Sequence, residues 1–223
     1  MSNNNEIIKT GVRGLDEILN GGFPKNYSVL VTGRSGSGKS ILTEQILNNF
    51  SKKGINSLYI TYEQEPEQLR IIGDMFGWEI REFEKDGKIT LMEGNVYSIS
   101  ESINELNKII KEKNIKAVAI DSITSLTVNI DKNELKQQLL ALIKFFRKMK
   151  INSFFITEIP PDSEWLSRDT YSESIVDCII KLNSVEGEEE GFRSINIPKM
   201  RLSKQKTGIY SFKITDKGVE ILT

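Results

Sequence analysis

The 223-residue chain contains no histidine and a single cysteine. Without histidine, Ser-His hydrolase chemistry and histidine-ligated metal centres are excluded. One cysteine, Cys178, allows no disulfide within the chain, and its setting in the apolar run 175–182 predicts a buried strand thiol. No apolar run reaches the roughly 18 residues that a membrane-crossing helix needs. The opening Met1-Ser2-Asn3-Asn4-Asn5-Glu6 has no apolar core of a signal peptide. The expected compartment is the cytoplasm, with no membrane partner. Excess charge is lacking too: 30 Lys and Arg face 31 Asp and Glu, so the chain as a whole does not attract polyanions. Internal repeats and a dividing linker are also absent. With 27% charged and 38% hydrophobic residues, the composition suits one α/β core, read as a single domain over 1–223.

Candidate strands at 28–32, 57–62, 89–92, 117–121, 153–157 and 175–182 alternate with candidate helices at 14–19, 39–50, 66–76, 80–85, 100–113 and 134–150. This alternation predicts a mostly parallel central sheet flanked by helices on both faces. The last third changes character. Strand-like segments at 192–201, 208–214 and 218–222, with turn residues at Lys206-Thr207-Gly208 and Asp216-Lys217-Gly218, predict C-terminal antiparallel β-hairpins on one edge of the sheet. The acidic stretch 186–191 reads as a solvated hairpin tip.

The most informative segment is Gly33-Arg34-Ser35-Gly36-Ser37-Gly38-Lys39-Ser40, followed by Ile41. It fits the phosphate-binding pattern G-x-x-x-x-G-K-[ST] and stands between a predicted strand and a predicted helix, the context the pattern requires. Glycines let the backbone bring its N–H groups to phosphate oxygens, and the helix N-terminus adds partial positive charge. Lys39 is expected on the β- and γ-phosphates and Ser40 on Mg²⁺, so ATP and Mg²⁺ are the expected ligands. A carboxylate at the end of a second buried strand completes such a metal shell, and Ala117-Val118-Ala119-Ile120-Asp121 supplies Asp121. Hydrolysis also needs a group that orients or deprotonates water. Glu63, first after the strand 57–62, is the candidate base, while Glu65 before Pro66 reads as a helix-start residue.

These segments resemble a RecA-like P-loop NTPase, and more narrowly a single-domain KaiC-like ATPase of the RecA superfamily. The resemblance runs nearly end to end. It includes Thr10-Gly11-Val12-Arg13-Gly14-Leu15-Asp16, Gly21-Gly22-Phe23-Pro24, the phosphate loop, Tyr62-Glu63-Gln64, Phe76-Gly77-Trp78, the Asp121 strand, Lys199-Met200-Arg201 and Ile214-Thr215-Asp216-Lys217-Gly218. It implies a ring of subunits, usually a hexamer, with ATP between neighbours and Lys199 and Arg201 acting on the adjacent subunit's nucleotide. An arginine there stabilises transition-state charge. The resemblance also implies that Ser203, Gln205, Thr215 and Asp216 lie near the neighbour's nucleotide, and Met75 to Trp78 near the base. Two departures stand out. Gln64 replaces a second glutamate often found beside Glu63, which leaves one carboxylate and implies slow turnover. Leu202-Ser203 replaces a common Gly-Thr, with no histidine following, so contacts to sugar and base differ.

Two classes of use compete for the ATP. One is work on DNA, as in recombinases; the other is nucleotide-dependent assembly or signalling on protein partners, with the archaeal flagellar motor ATPase as a further relative. The stretch 158–174 holds Glu158, Asp162, Glu164, Asp169 and Glu173 against Arg168 alone, which repels a phosphate backbone and disfavours DNA. Trp165 in that stretch reads as a partner anchor or a base-stacking ring. Ser174 follows Glu173 where the clock protein carries its phosphorylated pair; autophosphorylation is not expected here.

Overall fold

The computed structural model describes residues 6–94, 99–125, 132–160, 166–167, 169–184, 193–203 and 205–223, with side chains described except at 99–102 and 132. In chain order the elements are β1 (Ile7–Ile8), α1 (Leu15–Ile18), β2 (Phe23–Pro24), β3 (Ser28–Gly33), α2 (Lys39–Lys52), β4 (Ser57–Thr61), α3 (Pro66–Met75), α4 (Ile80–Lys85), β5 (Ile89–Glu93) and α5 (Ile99–Glu112). They continue with β6 (Ala117–Asp121), α6 (Lys132–Lys148), β7 (Asn152–Glu158), α7 (Ser172–Ile175), β8 (Cys178–Ser184), β9 (Arg193–Met200), β10 (Ile209–Thr215) and β11 (Gly218–Leu222).

One nine-stranded sheet has the order β11-β10-β9-β8-β3-β7-β6-β4-β5. Strands β8, β3, β7, β6, β4 and β5 are parallel, and β9, β10 and β11 extend the sheet antiparallel from β8. The fold is thus the RecA-like arrangement expected, with its antiparallel hairpins on one edge.

The central strands are buried on both faces, which is why they read as continuous apolar runs. Their side chains nonetheless alternate. Val29 and Val31 of β3, Tyr59 of β4, Ala117 and Ala119 of β6 and Phe154 of β7 face one core, shared with Leu42, Ile46 and Phe50 of α2. Leu30, Leu58, Ile60, Val118 and Phe155 face the other, shared with Leu106 and Ile110 of α5 and Leu139, Leu142 and Phe146 of α6. Alanine at 117 and 119 leaves room for α2 to lie close against the sheet. The edge strand β11 is satisfied by that same helix: Gln45 Nε2 donates to the Val219 carbonyl at 3.3 Å and Gln45 Oε1 accepts from the Val219 N–H at 2.8 Å.

The apolar run at 175–182 does not begin as a strand. Asp169 Oδ1 accepts the N–H groups of Tyr171 and Ser172 at 2.7 Å each, which starts the short helix α7. The strand begins only at Cys178, where pairing with Val29 starts. Asp177 ties this corner, accepting from Ser28 Oγ at 2.7 Å and Arg147 Nη2 at 2.8 Å. Cys178 is fully buried, and burial pushes its thiol pKa upward. Among the described residues no helix is long and apolar enough to cross a membrane.

Candidate nucleotide site

The loop from Gly33 to Ser40 leaves the C-terminal end of β3 and enters α2. Two glycines are required by geometry. A β-carbon at Gly33 would stand 2.4 Å from the Leu182 carbonyl oxygen and 2.6 Å from Ser37 Oγ. Gly38 has φ +96°, a conformation that side chains disfavour. The tip, Arg34 to Gly36, is exposed, and a β-carbon at Gly36 would meet nothing within 4 Å. The backbone therefore presents an open cradle.

Lys39 is 8% exposed and folds back over the loop, donating to the carbonyls of Gly33 at 3.1 Å and Arg34 at 2.9 Å. Burial lowers its pKa, while Glu158, Asp121 and Glu63 oppose that shift. The ammonium thus sits among three carboxylates, Glu158 Oε1 being 4.0 Å away. Ser40 Oγ donates to Asp121 Oδ2 at 2.6 Å, and Tyr59 Oη donates to the same oxygen at 2.6 Å. Burial raises the Asp121 pKa, and the hydrogen bonds from Ser40 and Tyr59 oppose it. Two residues far apart in sequence thus meet as the expected pair of hard oxygen donors.

Glu63 is exposed two residues beyond β4, and its Oε1 accepts from Ser122 Oγ and, at 2.7 Å, from Ser125 Oγ. Both serines follow the Asp121 strand, so the candidate base is oriented from the neighbouring strand end. The corner itself is set by Thr61, whose Oγ1 donates to the Gln64 carbonyl at 2.8 Å and accepts from the Gln64 N–H at 3.0 Å. Glu65 stands at the N-cap of α3, with Pro66 in its first turn.

The fit to a magnesium nucleotide can be judged on these residues. Ser40 and Asp121 suit Mg²⁺, which prefers one or two protein oxygens plus phosphate and water. Ser37 Oγ is buried with no hydrogen-bond partner among the described residues, beside the open cradle. The donor set and the cradle both fit.

The remaining expected residues divide between two ends of the sheet. Lys199 pairs in register with Ile179, which pairs with Leu30, three residues before Gly33. At strand rise this is about 10 Å back along the sheet from the phosphate loop. Lys199 Nζ donates to the carbonyls of Glu173 at 2.8 Å and Ser174 at 3.1 Å, and Arg201 Nη2 donates to Ser174 at 3.0 Å. Burial, then the Arg201 charge, lowers the Lys199 pKa. Half-buried Ser203 and Gln205 lie in the connection that follows, also at this end. Thr215 and Asp216 turn between β10 and β11 at the opposite end. There Ile214 Cδ1 is 3.2 Å from where a Gly38 β-carbon would be, so that hairpin flanks the chain's own loop. Phe76 and Trp78 stack at 4.8 Å between centroids, and Trp78 Nε1 donates to the Lys217 carbonyl at 3.1 Å.

Sequence reasoning missed five residues here. Tyr59 was legible only as one polar atom in an apolar strand. Glu158 was counted among loop acids but ends β7, facing Lys39. Ser122 and Ser125 were the hydroxyls next to Asp121. Arg193, at the start of β9, donates from Nη1 to the Gly36 carbonyl at 2.9 Å. The acidic stretch is also less outward than its composition implies. Asp169 is buried and Glu173 Oε2 accepts the Leu166 N–H at 2.7 Å. Asp162, Glu164, Trp165 and Arg168 lie outside the described residues, as does the acidic stretch 186–191.

Comparison with known proteins agrees with this fold. A UPF0273 protein of Pyrococcus furiosus is 31% identical over 95% of this chain and 92% of its own length. The circadian clock oscillator protein KaiC of Thermostichus vulcanus is 31% identical over 97% of this chain, which spans 42% of that protein. The crystal structure of a KaiC-like protein from Pyrococcus horikoshii superposes with a TM-score of 0.88 at 29% identity, covering 97% of this chain and 99% of that one. The family model described as "ATPase: KaiC" matches residues 8–223, and the chain belongs to that family.

Proposed function

We propose that this chain is a single-domain Mg²⁺-dependent ATPase that works as a ring, with each nucleotide held between two subunits. The observation that carries the reading is the contact between Ser40 and Asp121 at the mouth of the Gly33–Ser40 cradle, with Glu63 oriented beside it. Residues 33–41 hold the phosphates. Lys39 exchanges two neutral carbonyls for phosphate oxygens, a stronger charged partner. Ser40 and Asp121 hold Mg²⁺, which supplies neutralisation of charge on the β- and γ-phosphates. Glu63, held by Ser122 and Ser125, accepts a proton from the attacking water. Thr215, Asp216 and the Met75–Trp78 segment border the sugar and base.

Lys199 and Arg201 lie too far from their own loop to reach its phosphates, so they serve a neighbour's, together with Ser203 and Gln205. Exposed apolar side chains support an assembly that is not self-closing in pairs. Leu202, 88% exposed, adjoins Arg201 in the chain, while Ile209 and Met75, 72% and 71% exposed, stand on β10 and α3. A head-to-tail contact covers one patch with the other and closes into a ring. The scarcity of cysteine fits a cytoplasmic protein.

The test is equilibrium binding of ATP with and without Mg²⁺, turnover, and mass at each nucleotide state. Mg²⁺-dependent binding, slow phosphate release and a nucleotide-stabilised oligomer are expected. A monomer that turns over ATP at the assembly's rate would sink the shared site.

A further inference from the structure

Glu44 is a buried ionisable group to which the ATPase reading assigns no role. It lies one helical turn after Ser40 on α2, and Asn48 lies one turn further, so the three side chains share one face of the helix. Glu44 is 0% and Asn48 1% exposed. Neither carboxyl oxygen of Glu44 and neither amide atom of Asn48 has a hydrogen-bond partner among the described residues. Two polar heads on successive turns of a buried helix are costly when left dry, and apolar residues of similar size would fill the space without that cost. Packing therefore does not explain them.

Their surroundings do. On one side α3 forms a wall: a β-carbon at Gly73 would stand 3.6 Å from Glu44 Oε1. One turn back on the same helix face, Ser40 donates to Asp121, and the fully buried Tyr59 donates to the same carboxylate oxygen. Burial, then the Asp121 charge, pushes the Glu44 pKa up to about 9, so at neutral pH this acid can donate as well as accept. Tyr59 spends its one proton on Asp121, so its phenol oxygen, with Ser40 beside it, can only accept from any further partner.

We propose that Glu44 is a positioning residue for Asp121: with Asn48 it holds enclosed water that hydrogen-bonds the Tyr59 oxygen and fixes the Tyr59 hydroxyl on Asp121. Buried water bridging otherwise unpaired polar groups is the usual solution to this arrangement. When Ser40 turns to the metal, Tyr59 remains as the donor that keeps Asp121 aimed. The proposal rests on the Mg²⁺ site argued above.

The experiment is a Mg²⁺ titration of binding of a fluorescent ATP analogue to the full chain. Outer partners of metal ligands typically change affinity at least tenfold, so Glu44→Leu should raise the half-saturating Mg²⁺ concentration about tenfold, and Glu44→Gln should raise it less than about twofold. In a Tyr59→Phe background, Glu44→Leu should add nothing. An unchanged half-saturation in folded Glu44→Leu, or full additivity with Tyr59→Phe, overturns the proposal. If Glu44→Leu does not fold, Asn48→Leu takes its place in the same cycle. A high-resolution crystal structure of the free protein gives a readout that needs neither metal nor nucleotide. Ordered water bonded to Glu44, Asn48 and Tyr59 is expected, and a dry contact overturns the arrangement. Binding that ignores Mg²⁺ in the wild type overturns the metal reading instead, and the crystallographic water still decides this one.

Discussion

The two ends of the parallel strands carry charge in opposite ways. At the C-terminal end, Lys39 lies among Glu63, Asp121 and Glu158, and oriented hydroxyls from Ser40, Tyr59, Ser122 and Ser125 meet the carboxylates. At the other end, Lys199 and Arg201 donate to main-chain carbonyls of Glu173 and Ser174, with Asp177 3.9 Å from Arg201. The first end is internally paired, around a backbone loop whose tip, Arg34 to Gly36, is exposed. The second holds its cations by hydrogen bonds to neutral main-chain acceptors, with Asp177 more distant, and a phosphate can outcompete those carbonyls. One end is a cradle, the other a pair of hands, and they do not meet within one chain.

The comparison breaks most sharply at Arg201. Arg201→Ala should reduce turnover by about 10³-fold or more, as loss of an arginine acting on transferring phosphate does, while ATP binding to the cradle persists. Mixing it with Lys39→Ala subunits should restore part of the activity, because some interfaces then join an intact loop to an intact Arg201. Phosphate release from the mixture, compared with each variant alone, checks this; no recovery in mixed assemblies would return both ends to one subunit.

Within the cradle, Glu63→Gln should lower turnover by about 10²- to 10⁴-fold with little change in ATP affinity. Single-turnover hydrolysis beside equilibrium binding separates the two. A parallel loss of both would make Glu63 a binding residue.

The Glu44 pKa predicts a pH effect that belongs to the cradle end alone. Its folded value lies near 9 against an ordinary 4.5, so the native state holds a proton that the unfolded chain releases above about pH 4.5. Stability is fully present below that value and is lost as pH rises toward 9. Relative to Glu44→Gln, the wild type should lose up to about 1.4 kcal/mol per pH unit across that window, read by denaturant unfolding of the metal-free protein. A pH-independent difference would mean that Glu44 is ionised in the fold.

The smallest effect concerns how Glu63 is held. Ser125→Ala removes one hydrogen bond, worth about 1 kcal/mol, and should slow turnover several-fold without moving ATP affinity. A full loss of activity would assign Ser125 a larger part than orientation.

Much of this candidate site is legible in the sequence alone. The phosphate loop is local: eight adjacent residues, flanked by one strand and one helix, contain its own geometry. Asp121 was legible because a strand buried on both faces is apolar until its end. Glu63 was legible because the parallel strand ends open together. Glu158 was not, because its role depends on β7 lying between β3 and β6, which no local pattern states. Nor was α7, where Asp169 captures two amides and delays the strand by several residues. The acids of 158–174 looked like an exposed cluster, yet Asp169 is buried, and charge counting cannot tell inward from outward.

By itself the sequence determined the ligand-facing chemistry: glycines that free a backbone, a lysine, a hydroxyl and carboxylates at strand ends. These follow from residue type and short-range spacing. Strand order was decided only in three dimensions, and with it the company each group keeps. It joins Ser40 to Asp121 and Lys39 to Glu158, sets the hairpin of Thr215 and Asp216 beside its own loop, and holds Lys199 about 10 Å, and Arg201 farther still, back along the sheet. The physical reason is that backbone pairing between distant segments sets these distances, and its register depends on the packing of both faces at once.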